Sequence, residues 1–244
     1  MFWKRPKLPV TPEDQEWIES AFDILLAAFG EERFHQFETI TPTKRFFPET
    51  FRGTEADAHR MLLQIQRWMG IPDAPIVLEF HQESSVHTDA GDLLTTPADA
   101  QGRWSSAAGT FRRSGNQAVI SLESAQLQDA SGLIATLAHE LAHEVLFQYP
   151  ELPHDHELLT DLTAIFFGFG IFIGNSAFRF RQYQTGLGAG WQMSRTGYLP
   201  EPMIAYALIV MSMERGEDPE YIKFLNENLL RYAKQTIKWW AAQG

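Results

Sequence analysis

Two imidazoles and a carboxylate stand together at His139-Glu140-Leu141-Ala142-His143, and a second acidic pair, Glu157 and Asp161, follows after a short proline-containing connection. Residues four apart share one face of an α-helix, so His139 and His143 can converge on one cation while Glu140 is directed to the adjoining position. Neutral imidazoles bind a divalent cation without cancelling its charge, and that charge lowers the pKa of a coordinated water from about 15.7 towards about 7. A neighbouring carboxylate then collects the released proton, the part assigned to Glu140. From the chain's own His and Glu frequencies the pentapeptide has roughly a 2% chance of arising by accident, so a second, independent pattern is required.

The elements that must position these groups are readable from spacing. Leu133, Ile134, Leu137, Leu141, Val145 and Leu146 recur at helical intervals, which predicts a helix over 131–148 with Asp129 or Ser131 as its cap. Pro150 and Pro153 end it, and a new helical pattern over 156–173 begins after Asp155. So short a connection favours an antiparallel return, bringing the start of the second helix back towards the first, with Glu157 and Asp161 on one face. Leu158, Leu159, Leu162, Ile165, Phe166 and Phe169 wrap nearly around that helix. Burial of the acidic pair is thereby expected over an exposed acidic face, and buried carboxylates need a metal or an imidazole as partner. His154, Asp155 and His156 carry competing donor atoms, although Asp155 is more simply an N-cap. Gly168, Gly170 and Gly174 permit close helix packing.

Over about residues 131 to 165 the sequence resembles the zincin superfamily, and within it the gluzincins such as thermolysin, whose first helix carries His-Glu-x-x-His and a following helix Glu-x-x-x-Asp. The resemblance implies that Glu157 is the third ligand of a zinc ion held by His139 and His143. It implies too that Asp161 orients a ligating imidazole, that of His139. Three protein ligands leave one open position, as a catalytic rather than a structural site requires. The gap from His143 to Glu157 is shorter than in thermolysin, so details of specificity do not transfer. Phe147 and Tyr149 stand where the metzincin signature needs glycine and histidine, which sets that subgroup aside.

The expected activity is that of a zinc metallopeptidase acting on a peptide or protein substrate. Alternatives are a catalytically silent zincin-like module that binds or regulates a partner, and a zinc amidase acting on a non-peptide substrate. By analogy with zincins, strand 118–122 is either an edge strand that holds an extended substrate backbone or an ordinary interior strand. Tyr198 leads the candidates for stabilising a transition-state oxyanion, ahead of Arg181, Arg195 and Tyr206. His35, His59, His81 and His87 have no supporting spacing.

Composition narrows the alternatives. A net charge of −11 disfavours nucleic-acid and anionic-membrane surfaces, and the absence of cysteine removes disulfides and thiolate ligands. The N-terminus lacks the pattern of a secretory signal, and the apolar run from Leu162 to Ile173 falls short of the roughly 20 residues that span a bilayer, so a cytoplasmic location without a membrane span is expected. Helices are predicted over 11–29 and 54–69, a strand over 76–80 and a hairpin joining 110–111 to 118–122 through Ser114-Gly115-Asn116. Residues 38–53 and 84–104 read as loops, 201–214 and 219–240 as helices, and 186–190 as a glycine-rich connector. Trp239 and Trp240 serve either to dock on the body of the domain or to mark a partner surface. One α+β domain over 1–244 is expected, zincin-like by the resemblance, with an α/β lobe to about 148 and a helical lobe from 149. Its small antiparallel or mixed sheet precedes the zinc helix, and its C-terminal half is mainly helical.

Overall fold

Both N-terminal helices begin where a threonine satisfies exposed backbone donors. In α1 (Pro12–Phe29) Thr11 Oγ1 accepts from the Asp14 N–H at 3.1 Å, and in α3 (Glu55–Trp68) Thr54 Oγ1 accepts from the Asp57 N–H at 3.2 Å. Each aspartate answers by accepting from the backbone of its threonine, the reciprocal arrangement of a capping box. Between them lie the single-turn α2 (Glu31–Phe34) and an irregular stretch. A computed structural model describes residues 6–81, 86–87, 93–94, 109–114, 117–153, 156–184 and 199–243.

The architecture is α+β, mostly helical, with one three-stranded mixed sheet. Strands β1 (Ile76–His81), β4 (Gly109–Ser114) and β5 (Gln117–Glu123) stand in the order β1-β5-β4. β1 runs parallel to β5 with Leu78 opposite Ile120, and β4 runs antiparallel with Phe111 opposite Ile120. β5 is therefore the central strand and β4 an edge, which favours the interior-strand reading of 118–122 over the edge-strand analogy. Burial of Ala118, Val119, Ile120 and Leu122 explains the placement, since apolar side chains on both faces suit an interior strand. Within the stretch expected to be a loop, β2 (Val86–His87) and β3 (Leu93–Leu94) form a short antiparallel ladder. The turn residues 115–116 and the connector at 186–190 lie outside the described residues.

Five helices follow the sheet: α4 (Ala130–Phe147), α5 (Glu157–Phe166), α6 (Gly170–Gln184), α7 (Glu201–Glu214) and α8 (Glu227–Trp240). The helix expected over 156–173 is broken at 167–169, where Gly168 adopts φ 94°. A side chain there would collide with the Glu38 carbonyl, and the Gly168 carbonyl accepts from the Ile40 N–H at 2.9 Å. Only glycine fits so close an approach in the left-handed region. Likewise the helix expected over 219–240 divides into a 3-10 turn (Pro219–Phe224) and α8, whose cap Asn226 Oδ1 accepts from the Leu229 N–H at 3.0 Å.

Phe166 centres an aromatic cluster with Phe22, Phe29, Phe34, Phe37 and Phe167, tying α1 and α2 to the end of α5. A Cβ at Gly170 would lie 2.8 Å from Leu208 Cδ1, and one at Gly174 2.8 Å from Leu229 Cδ1, so α6 approaches α7 and α8 more closely than larger residues allow. Trp239 packs edge-on against Tyr206 at 6.0 Å, which docks that end of α8 on α7. Among the described residues no helix is long and apolar enough to cross a membrane.

Candidate metal centre

Helix α4 is buried along almost its whole length and packs against α3, α5, α6 and β4. Its core face is aliphatic, yet His139 and Glu140 are each only 4% exposed and Glu144 only 3%. Asp129 occupies the N-cap position without a side-chain cap bond. The cap of α5 is His156, whose Nδ1 accepts from the Leu159 N–H at 3.3 Å and whose ring stacks on Trp17 at 5.9 Å. Those contacts commit His156 to the helix start, and Glu157 occupies the first turn, where the helix dipole favours a carboxylate. His154 and Asp155 lie outside the described residues.

The two helices bring His139, His143 and Glu157 together, with one donor atom from each lying within 4.8 Å of the others. Glu157 Oε2 stands 3.1 Å from His139 Nε2 and 3.6 Å from His143 Nε2. On its far side His139 Nδ1 donates to Asp161 Oδ1 at 2.9 Å, which directs Nε2 towards the cluster. Asp161, only 1% exposed, uses its second oxygen Oδ2 to accept from the Leu199 N–H at 2.8 Å. His143 Nδ1 is 3.4 Å from Thr160 Oγ1, and its ring stacks on Phe111 of β4 at 5.7 Å.

Charge is distributed unevenly across the cluster. Burial alone depresses the pKa of His139, but hydrogen bonds to Asp161 and Glu157 outweigh it and raise that pKa well above 6.5. Burial pushes Glu157 up, yet the hydrogen bond to His139 and the nearness of both imidazoles overcome it and hold the carboxyl below its usual range. For Glu140 burial dominates and raises the pKa above 4.5, the nearby histidines opposing only in part. Glu157 thus sits against both imidazoles where a cation fits. Two imidazoles and a carboxylate, directed by fixed partners, form a donor set suited to a borderline divalent ion.

Other side chains are committed elsewhere. Glu144 Oε2 accepts from Arg113 Nη1 at 2.5 Å, and Arg113 lies over the Phe147 ring at 4.0 Å. These residues line a cavity of about 490 Å3 at the C-terminal end of α4, facing residues 70–75 and apart from the metal cluster. Tyr206 is fully buried and donates to Glu19 Oε1 at 2.6 Å, so it is not available to the site. Tyr198 and Arg195 lie outside the described residues, as does the side chain of Arg181. His59 Nδ1 bonds the Glu55 carbonyl at 2.8 Å, away from the cluster.

Phe111, Thr160 and the Leu199 N–H are parts of the site that the spacing arguments did not select. Phe111 had a faint signal, since alternate residues of a strand share a face and Phe111 and Arg113 both meet α4. Neither family models, curated proteins nor solved structures give a match to this chain, so its functional reading stands on the geometry of the cluster.

Proposed function

We propose that this chain is a zinc-dependent metallopeptidase with a zincin-like catalytic domain over 1–244. One observation carries the reading: three donor atoms from two helices lie within 4.8 Å of one another beside a buried glutamate of raised pKa. His139, His143 and Glu157 would hold the ion, and Asp161 orients His139. When bound, zinc supplies a compact positive charge that acidifies water and polarises a substrate carbonyl.

The remaining chemistry belongs to the chain. Among the described residues nothing donates a hydrogen bond to the Glu140 carboxylate, so an Oε atom is available to accept a proton from the attacking water. A carboxylate whose pKa is raised by burial is a stronger base than an exposed one, and its conjugate acid returns that proton to the departing amine nitrogen as the C–N bond breaks. Phe111 and Thr160 confine the His143 ring from two sides. The unpaired edge of β4, whose only partner among the described residues is β5, offers backbone groups to an extended peptide beside His143. Tyr198 is proposed as the donor to the developing oxyanion; its neighbour Leu199 is bonded to Asp161.

The test is to measure bound zinc and hydrolysis of a peptide library by the wild type and by Glu140→Gln. One zinc per chain, with hydrolysis that disappears in the variant, is the expected result. A wild type that binds no zinc, or a variant with full activity, overturns the reading.

A further inference from the structure

The two imidazoles of the cluster are not held alike. His139 is backed by the Asp161 carboxylate, whose two oxygens are both occupied, one by His139 and the other by the Leu199 N–H. Both Asp161 contacts are to groups other than His143. We propose that Thr160 is the positioning residue for His143, fixing the tautomer that presents Nε2 to the cation. This inference rests on the metal-centre reading above.

Thr160 Oγ1 lies 3.4 Å from His143 Nδ1 and 3.3 Å from the His156 carbonyl oxygen. A hydroxyl has one proton to give, and a carbonyl oxygen can only accept. Both contacts are satisfied together in one way: Thr160 donates to His156 O and accepts from the Nδ1–H of His143. The neutral ring then carries its proton on Nδ1 and its lone pair on Nε2, the atom that faces Glu157 Oε2 at 3.6 Å. Thr160 is fully buried, so water does not compete for its hydroxyl. Phe111 stacks on the ring at an interplanar angle of 20° and opposes its rotation.

Chemistry favours a hydroxyl here over a second carboxylate. Glu140, Glu157 and Asp161 already surround the two histidines, and another buried negative charge would carry its own desolvation cost. Position follows from the helix: Thr160 and Asp161 are consecutive on α5, while His143 and His139 are one turn apart on α4. Adjacent residues on one helix thus each serve one histidine on the other.

The test uses the full chain as wild type, Thr160→Val and Thr160→Ser. In the metal-free wild type, nitrogen NMR of the neutral His143 ring should show the proton on Nδ1. Thr160→Val, similar in shape but unable to accept, should lose that preference and bind zinc about 10- to 100-fold more weakly in competition with a chromophoric chelator. Thr160→Ser should restore both, and the thermal midpoints of the metal-free variants should not follow the affinity change. A wild-type His143 protonated on Nε2 overturns the assignment, as does a valine variant that binds zinc as tightly as wild type. If the wild type binds no zinc, the metal-centre reading fails, while the tautomer of the metal-free protein still decides the part played by Thr160. Should the valine variant not fold, that tautomer and the serine variant decide it.

Discussion

Two pairs of packed helices in this molecule obey opposite rules. α7 and α8 pack through apolar side chains, and the buried face of α7 from Met203 to Ser212 is polar only at Tyr206 and Ser212. Both are satisfied: Tyr206 donates to Glu19, and the Ser212 hydroxyl meets that of Tyr221. α4 and α5 are buried along most of their length yet hold His139, Glu140, Glu144, Thr160 and Asp161 inside. Replacing buried ionisable groups by well-packed apolar ones is often neutral or stabilising, so folding alone does not explain them. The first pair shows what this chain does when only stability matters, and the second departs from it mainly at residues around one point, Glu144 with its Arg113 partner standing apart.

The comparison breaks most visibly at Glu140. Glu140→Gln should cut the rate of peptide hydrolysis by about 10²- to 10⁴-fold, the usual contribution of a general base. Its folded pKa is raised, so the wild type loses stability as pH climbs from acid through that value, whereas the glutamine variant does not. Near neutral pH the metal-free variant should therefore melt higher than wild type, in a calorimetric scan, while being the poorer enzyme. A variant that lost stability would place Glu140 among the structural residues.

The apolar pair should behave in the reverse sense. Leu208→Ala removes a fully buried side chain that fills the notch at Gly170, and should cost about 2–5 kcal/mol in urea titration. Zinc affinity of the molecules that remain folded should be unchanged. Asp161→Asn sharpens the contrast within the polar pair. Its amide cannot accept from both His139 and Leu199, and zinc affinity measured by chelator competition should fall about 10- to 100-fold.

The weakest signal is confined to acid. Asp57 accepts from the backbone of Arg52 and Thr54, which holds its carboxyl below the usual range. A depressed folded pKa contributes stability that is complete above the unfolded value of about 3.8 and is lost as pH falls below it. Asp57→Asn should accordingly narrow the stability gap from wild type as pH is lowered from 5 to 2, read by circular dichroism.

Much of this was legible in the sequence for identifiable reasons. Thr11 and Thr54 mark helix starts because capping is local chemistry, and His139, His143, Glu157 and Asp161 were found because helical spacing fixes which residues share a face. What escaped depends on distant neighbours. Phe166-Phe167-Gly168-Phe169 is apolar throughout, so periodicity runs across the break that the Glu38 carbonyl imposes at Gly168. Strand order arises from the crossover between β1 and β5, which no run of residues in 118–122 encodes. Thr160 looks like any helical threonine until the facing helix supplies His143.

The bond from the Leu199 N–H to Asp161 gives the centre an unusual debt to chain that comes long after it. A protein shortened ahead of residue 199 would keep every donor atom of the cluster and still lose one of the two hydrogen bonds that hold the carboxylate beside His139. In a nascent chain, then, the ligands emerge early but their alignment waits until the approach to α7 has left the ribosome and folded back.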